Sequence, residues 1–352
     1  IVELHKPENI GKYKDNFYQR LAFDEIFSTF LVNSEIRKKI RKVKKKCKKI
    51  NFDRQKSIIS KLEFSLTDDQ VKSLAEINND LNSSNKMFRL LQGDVGSGKT
   101  IVSLIAALNT INSGFQVAVM APTEILARQH YNLAKKIYSK KIISELISGK
   151  SEYKKKKDIL DKLKNKKIDI LFGTHAIFQK NVNFNKLGLI IIDEQHKFGV
   201  NQRKKLSDKG GPDCDVLLMT ATPIPRTLTM TIYGDMDISI IREKPKNRKQ
   251  IRTYSKLESK IDDILKFIKK EIKLGNQIFW VCPLIEESKK LDHSSAIKKF
   301  EFLKKQFPKQ VALLHGKTNI EEKENILNSF LNNEFKILVS TTIIEVGIDF
   351  PN

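Results

Sequence analysis

The stretch GDVGSGKT, Gly93 to Thr100, gathers residue types that suit a phosphate chain. It follows the apolar FRLL and opens the helical pattern TIVSLIAALNTI, so it fits G-x-x-x-x-G-K-T in a strand–loop–helix setting. Gly93, Gly96 and Gly98 permit a backbone whose N–H groups converge on phosphate oxygens at a helix N-terminus, with Asp94, Val95 and Ser97 completing the loop. Lys99 supplies positive charge to the β- and γ-phosphates, and Thr100 offers a hydroxyl to Mg²⁺. Such a metal needs a carboxylate as well. LGLIIIDEQH runs a buried strand into Asp193 and Glu194 at its carboxyl end, where open α/β sheets bind their ligands. Asp193 is the candidate Mg²⁺ residue, and Glu194 the base that orients and activates an attacking water.

These groups need elements to position them. Between about Asp53 and Tyr233, apolar runs such as FQVAVMAP, IDILFGT, LGLIIIDE and DVLLMTAT alternate with amphipathic stretches such as EILARQHYNLAKKIY. Short Val/Ile/Leu runs alternating with helices indicate βαβ crossovers and a parallel sheet covered on both faces. A polar, basic, Pro-containing stretch, REKPKNRKQIRTYS, follows and suits a linker. A second alternation runs from KIDDILKFIKKEIKLG, a helix ending at Gly275, to the strand FKILVSTT. The expected organisation is α/β: a basic helical linker over 1–60, a first α/β domain over 61–241, a linker over 242–255 and a second, incomplete domain over 256–352. Within the lead-in, Leu21 to about Ile50 reads as one long helix.

With 352 residues, 40% hydrophobic and 30% charged, the chain has the size and composition of two folded domains and not those of disorder. No apolar stretch has the length of a membrane span and IVELHKPENI lacks a signal-peptide layout, so a soluble, intracellular protein is expected. Cys47, Cys214 and Cys282 are widely spaced and read as reduced bystanders. The formal net charge is +24, a field that draws polyanions. Lys outnumbers Arg 54 to 11, as AT-rich coding also produces. In RKKIRKVKKKCKK (37–49), all but Ile40, Val43 and Cys47 are basic; a solvated helix face is the favoured expectation over a phosphate-tracking one. The first residue is Ile and the last are IIEVGIDFPN, which reads as an internal fragment.

Taken together, the segments resemble a superfamily 2 helicase motor, and within that group the RecG type of ATP-dependent DNA helicase. FSLTDDQ (64–70) resembles an adenine-recognising glutamine motif and points to Gln70. APTEILARQH (121–130) and GTHAIF (173–178) resemble strand-tracking motifs, DEQHKFGVNQR (193–203) the hydrolysis motif and TATPIPRTL (220–228) the coupling motif. WVCPLIEES (280–288), LLHGK (313–317) and STTIIEVGIDFPN (340–352) resemble the second motor domain, and YQRLAFDEIF (18–27) the helical linker before the motor.

The resemblance implies two tandem RecA-like domains, the second truncated, with ATP and Mg²⁺ as cofactors. It implies that Gly347 and Asp349 complete the nucleotide site from the second domain, and that Gln195, His196, Thr220 and Thr222 couple hydrolysis to motion. Pro122, Thr123, Gly173, Thr174 and Arg226 would contact DNA phosphates, positioning the duplex without reading it. As residues alone, Thr220 and Thr222 are also ordinary strand-end threonines, His196 a structural histidine, Arg226 a surface charge and Gln70 a common helix-start glutamine. The implied activity is translocation on branched double-stranded DNA, at stalled forks and Holliday junctions, by a monomer in the bacterial cytoplasm without membrane contact. The rivals are a transcription–repair coupling factor and a non-hydrolysing, ATP-dependent nucleic-acid-binding module. Ser97, Gln195 and WVCPLIEES sit better with RecG than with the coupling factor. RecG-type motors also carry an arginine-bearing motif beyond the position of Asn352, a residue class worth roughly 10³–10⁵ in related phosphoryl transfers. Slow hydrolysis by these 352 residues alone is therefore expected, as is a DNA-splitting wedge domain before residue 1.

Overall fold

The computed structural model describes residues 10–138, 141–147, 153–179, 181–194, 210–222, 236–243, 251–282, 289–315 and 318–341. The chain divides into two compact units, 1–246 and 247–352. The first opens with helix α1 (Ile10–Lys42), followed by α2 (Phe52–Ile59) and α3 (Asp68–Asn82). Then come β1 (Phe88–Gly93), α4 (Lys99–Asn112), β2 (Gln116–Met120), α5 (Glu124–Ile137), β3 (Ser144–Ile147) and α6 (Tyr153–Lys164). β4 (Ile170–Gly173), a 3₁₀ turn (His175–Phe178), β5 (Leu187–Ile192), β6 (Asp215–Thr220) and β7 (Asp237–Ile241) complete it.

The seven strands form one parallel sheet in the order β3-β4-β2-β5-β6-β1-β7. A parallel sheet hides both faces, which is why β5 reads LGLIII with every residue buried. Successive residues alternate between two cores: Val117, Val119, Leu189 and Ile191 pack with Leu104 and Ile105 of α4, while Ala118, Met120, Ile190 and Ile192 pack on the other side with Ile159 and Leu163 of α6. Each such aliphatic side chain contributes on the order of 1.5–3 kcal/mol when fully buried. The register matters for function. Gln92 pairs with Thr220, Leu218 with Ile192, and Met120 with both Ile192 and Gly173, so the loops after β1, β2, β4, β5 and β6 leave the sheet along one edge.

The second unit holds α7 (Ile261–Lys273), β8 (Ile278–Val281), α8 (Lys289–Gln306), β9 (Val311–Leu314), α9 (Ile320–Leu331) and β10 (Ile337–Ser340). Its strands form a parallel sheet in the order β8-β10-β9. Gly275 closes α7 at φ +88, a left-handed conformation that glycine adopts without Cβ strain. Trp280 packs on this unit's core and Phe279 meets Phe330 edge-on at 5.0 Å. Both units are RecA-like, so the chain is a tandem RecA-like α/β protein.

The lead-in differs from the expectation. The helix begins earlier, at Ile10, and ends at Lys42 rather than near Ile50. The chain then lies extended along the first unit: Lys45 N–H donates to Ser84 O and Lys48 N–H to Leu81 O, both at 2.9 Å, and Lys44 bridges Asn85 antiparallel. The reason is electrostatic. Lys45 Nζ binds both carboxylate oxygens of Asp215, at 2.8 and 2.7 Å, and Lys48 Nζ binds Asp215 as well; all three side chains are fully buried. Lys45 Nζ also donates to Asp80 O and Lys48 Nζ to Asp213 O, and Met87 N–H donates to Asp215 Oδ1 at 2.7 Å. Part of the basic run is therefore not solvated: two of its lysines form an ionic clasp at the amino-terminal edge of the sheet. Burial draws the Lys45 ammonium below the usual lysine range against the pull of Asp215. The neighbouring Cys214 thiol is pushed up to about 12 by burial, which leaves it unreactive.

Candidate functional site

The loop between β1 and α4 has the conformation that its glycines allow. Gly96 and Gly98 take φ +73 and +86, and a Cβ on Gly93 would lie 2.5 Å from Ser97 Oγ and 3.0 Å from Ile241 O. Gly98 is the N-cap of α4 and offers no side-chain cap, which leaves the first-turn N–H groups of the helix as anion donors. Asp94 organises the turn, accepting from Val95 N–H at 2.8 Å and Ser97 N–H at 3.1 Å. Lys99 is buried, and its Nζ donates to Gly93 O at 2.7 Å and Asp94 O at 3.0 Å. The buried Ser97 Oγ has no hydrogen-bond partner among the described residues, a polar atom suited to a bound oxyanion.

Gln70 lies against this same loop. Its Oε1 accepts from Thr67 N–H at 3.0 Å, completing a capping box at the start of α3, and its Nε2 donates to Ser97 O at 2.7 Å. A Cβ on Gly98 would collide with the same amide. The structure thus brings Gln70 to the phosphate loop itself: its Nε2 is engaged there, while its Oε1 is held at the start of α3.

Asp193 and Glu194 follow β5, two strands from β1. Burial lowers the Lys99 ammonium, while the charges of Asp193, Glu194 and Asp94 act in the opposite direction, so loop lysine and acidic pair share one electrostatic neighbourhood. Asp193 Oδ1 accepts from Glu194 N–H at 3.0 Å, and Oδ2 lies 2.8 Å from His130 Nε2. Glu194 holds a left-handed φ of +49, a strained conformation for a side-chain-bearing residue that concentrates at functional sites. Its Oε2 accepts from Ala221 N–H at 3.3 Å. On either side of Ala221, Thr220 Oγ1 and Thr222 Oγ1 are bonded to each other at 2.8 Å, and Thr222 N–H donates to Thr220 Oγ1 at 3.2 Å.

The other residues named from the sequence are placed as follows. Pro122 and exposed Thr123 lie in the loop after β2, where Thr123 Oγ1 caps α5 by accepting from Leu126 N–H at 3.3 Å; its hydroxyl proton is still available to an acceptor. Gly173 ends β4 where a Cβ would sit 2.7 Å from Ile147 O, a packing reason for glycine independent of any ligand, and Thr174 after it is buried. Gln195, His196, Arg226, Gly347 and Asp349 lie outside the described residues. Two participants escaped the sequence reading: His130, which the helical pattern of α5 disguises as an ordinary helix residue, and the backbone of Ala221.

A magnesium ion fits this edge. Mg²⁺ takes few protein ligands, typically one or two oxygen groups with substrate phosphates and water completing the shell. Thr100 in the first turn of α4 and the Asp193 carboxylate are hard oxygen donors of that kind. Among the described residues no group of three His, Cys, Asp or Glu side chains could hold a metal unaided. Nor is any described helix long and apolar enough to cross a membrane.

Comparison with known proteins agrees with this geometry. Residues 67–231 match the DEAD/DEAH box helicase family and residues 259–352 the helicase conserved C-terminal domain. The ATP-dependent DNA helicase RecG of Aquifex aeolicus (strain VF5) is 45% identical over 367 residues, covering 100% of this chain and 45% of the relative. RecG of Bacillus subtilis (strain 168) is 49% identical over 297 residues, 84% of this chain and 43% of the relative. The chain spans about half the length of the curated relatives it matches. The structure of RecG bound to a three-way DNA junction superposes with a TM-score of 0.80 at 40% identity, over 95% of this chain and 44% of that one. Mss116p bound to ssRNA and AMP-PNP shares the fold at TM-score 0.64 and 22% identity, over 88% of this chain and 69% of that one. Neither rival is favoured by these relatives, and over its whole length the chain fits a RecG-type helicase motor of superfamily 2.

Proposed function

We propose that this chain is the motor of an ATP-dependent helicase that moves along duplex DNA and remodels branched structures such as stalled forks and Holliday junctions. The observation that carries the proposal is the single sheet edge shared by the phosphate loop and the acidic pair, with the charges of Asp193 and Glu194 acting on Lys99. ATP binds with its phosphates on the N–H groups of Gly96 to Thr100, where Lys99 turns from the Gly93 and Asp94 carbonyls to the β- and γ-oxygens. Thr100 and Asp193 would hold Mg²⁺, which when bound neutralises charge on the phosphates. Glu194, fixed by the Ala221 N–H, orients the attacking water and accepts its proton. That contact gives the coupling segment a direct view of the hydrolytic base, and Gln195 and His196 are further candidates for coupling hydrolysis to motion.

Gln70 tunes the phosphate loop from α3, an arrangement compatible with its amide also meeting the adenine through the remaining Nε2 proton. Pro122, Thr123, Gly173, Thr174 and Arg226 are the candidate contacts to DNA phosphates, and Gly347 and Asp349 are candidate nucleotide-binding residues. The domain limits are 61–241 and 256–352, and the working species is a monomer in the bacterial cytoplasm. A labelled three-way or four-way junction given to the full-length protein should be unwound with ATP and Mg²⁺ and not with a non-hydrolysable analogue. Binding that changes with nucleotide but never separates strands would instead establish a non-hydrolysing module.

A further inference from the structure

Helix α5 brings a histidine to the metal carboxylate. His130 is buried, and its Nε2 lies 2.8 Å from Asp193 Oδ2. The other oxygen, Oδ1, accepts the backbone N–H of Glu194 at 3.0 Å, and Asp193 N–H itself donates to Met120 O at 2.8 Å. The carboxylate is therefore held at both oxygens, and its plane is set by two contacts from different elements. A carboxylate offers about four lone-pair sites, so two remain for a metal ion or its waters. Without the histidine, the hydrogen bond left to this side chain among the described residues is that of the adjacent Glu194 backbone, which fixes one oxygen and leaves the carboxylate plane less constrained.

We propose that His130 is a positioning residue for magnesium: it locks the Asp193 carboxylate in the orientation that meets the ion on the phosphate loop. The inference rests on the nucleotide-site reading above and adds a residue to it. Groups that orient a metal-bound carboxylate from behind typically account for 10–100-fold in metal affinity or activity. The same helix is capped at its start by Thr123, seven residues and about 10 Å before His130, so His130 also ties the metal carboxylate to the element that leaves the candidate DNA loop.

The test is a Mg²⁺ titration of fluorescent ADP binding to the full-length protein, read by anisotropy, with a parallel measurement in EDTA. His130→Leu keeps the volume and removes the donor; His130→Gln places an amide N–H near the position of Nε2. The expected result is a Mg²⁺ midpoint roughly 10-fold or more higher for His130→Leu, restored to within about twofold by His130→Gln, with metal-free nucleotide binding unchanged in both. An unchanged midpoint in His130→Leu, or equal losses with and without metal, would overturn the proposal. If His130→Leu does not fold, His130→Gln decides: a midpoint like that of the parent supports the proposal and a shifted one overturns it. Asp193→Asn separates the two levels of inference. Should it leave the Mg²⁺ midpoint in place, the nucleotide-site reading itself fails; should it shift the midpoint while His130→Leu does not, only the role of His130 fails.

Discussion

Lys99→Ala in the full-length protein should abolish unwinding of a branched substrate and lower ATP turnover by at least about 10²–10³, the range for removing one preorganised group from a charge-stabilising site. Lys99 is the buried cation of the site, held at the loop by the Gly93 and Asp94 carbonyls and acted on by three carboxylate charges. A methyl in its place leaves the loop backbone intact but removes the charge that moves onto the γ-phosphate as the bond breaks. DNA binding should change little, because the candidate DNA contacts after β2 and β4 lie three and four strands from β1 in the sheet. Strand displacement, ATP turnover and junction binding measured on one preparation would separate these effects. Retained unwinding would mean that the nucleotide site has been assigned to the wrong loop.

The second large effect concerns folding. Asp215→Ala should destabilise the first unit by about 3–5 kcal/mol, the usual cost of removing one partner from a buried ion pair, because it strands two ammonium groups that are fully buried. For a unit of this size that corresponds to a fall in Tm of about 6–20 °C. Lys48→Met should cost much less, since Lys45 still neutralises Asp215 and the methionine fills similar volume. Thermal unfolding of the two variants beside the parent provides the check. Equal, small losses would show that the clasp is not the joint between the lead-in and the sheet. Asp215 opens β6 and Thr220 closes it, so the clasp lies one strand length away from the nucleotide edge. A stability loss without a change in nucleotide affinity is therefore the expected pattern.

How far the sequence could be read follows from which contacts are local. The phosphate loop was legible because everything it needs is contiguous: three glycines, a lysine and a threonine between a strand and a helix. Asp193 and Glu194 were legible because a fully apolar strand ending in two acids marks the carboxyl edge of a parallel sheet. The alternation of runs likewise exposed β1, β2, β4, β5 and β6. The contact of His130 with Asp193 was hidden, since it joins residues 63 apart, and a histidine after LARQ on an amphipathic helix has no pattern of its own. The clasp was hidden more deeply. In a run of lysines nothing marks Lys45 and Lys48 as buried, because their burial depends on the chain leaving its helix at Lys42 and on a carboxylate 167 to 170 residues away. The amide of Gln70 was seen as a possible base reader, whereas its bond to Ser97 O depends on how α3 lies against the loop.

The most direct measurement is a crystal structure of the protein with Mg²⁺ and a non-hydrolysable ATP analogue. The expected density has the triphosphate along the N–H groups of Gly96 to Thr100, Lys99 on its terminal oxygens, and one ion reached from one side by Thr100 and from the other by Asp193 through water. A triphosphate seated elsewhere, or an ion on that loop with Asp193 and Glu194 turned away from it, would contradict the assignment of this edge as the engine of the motor.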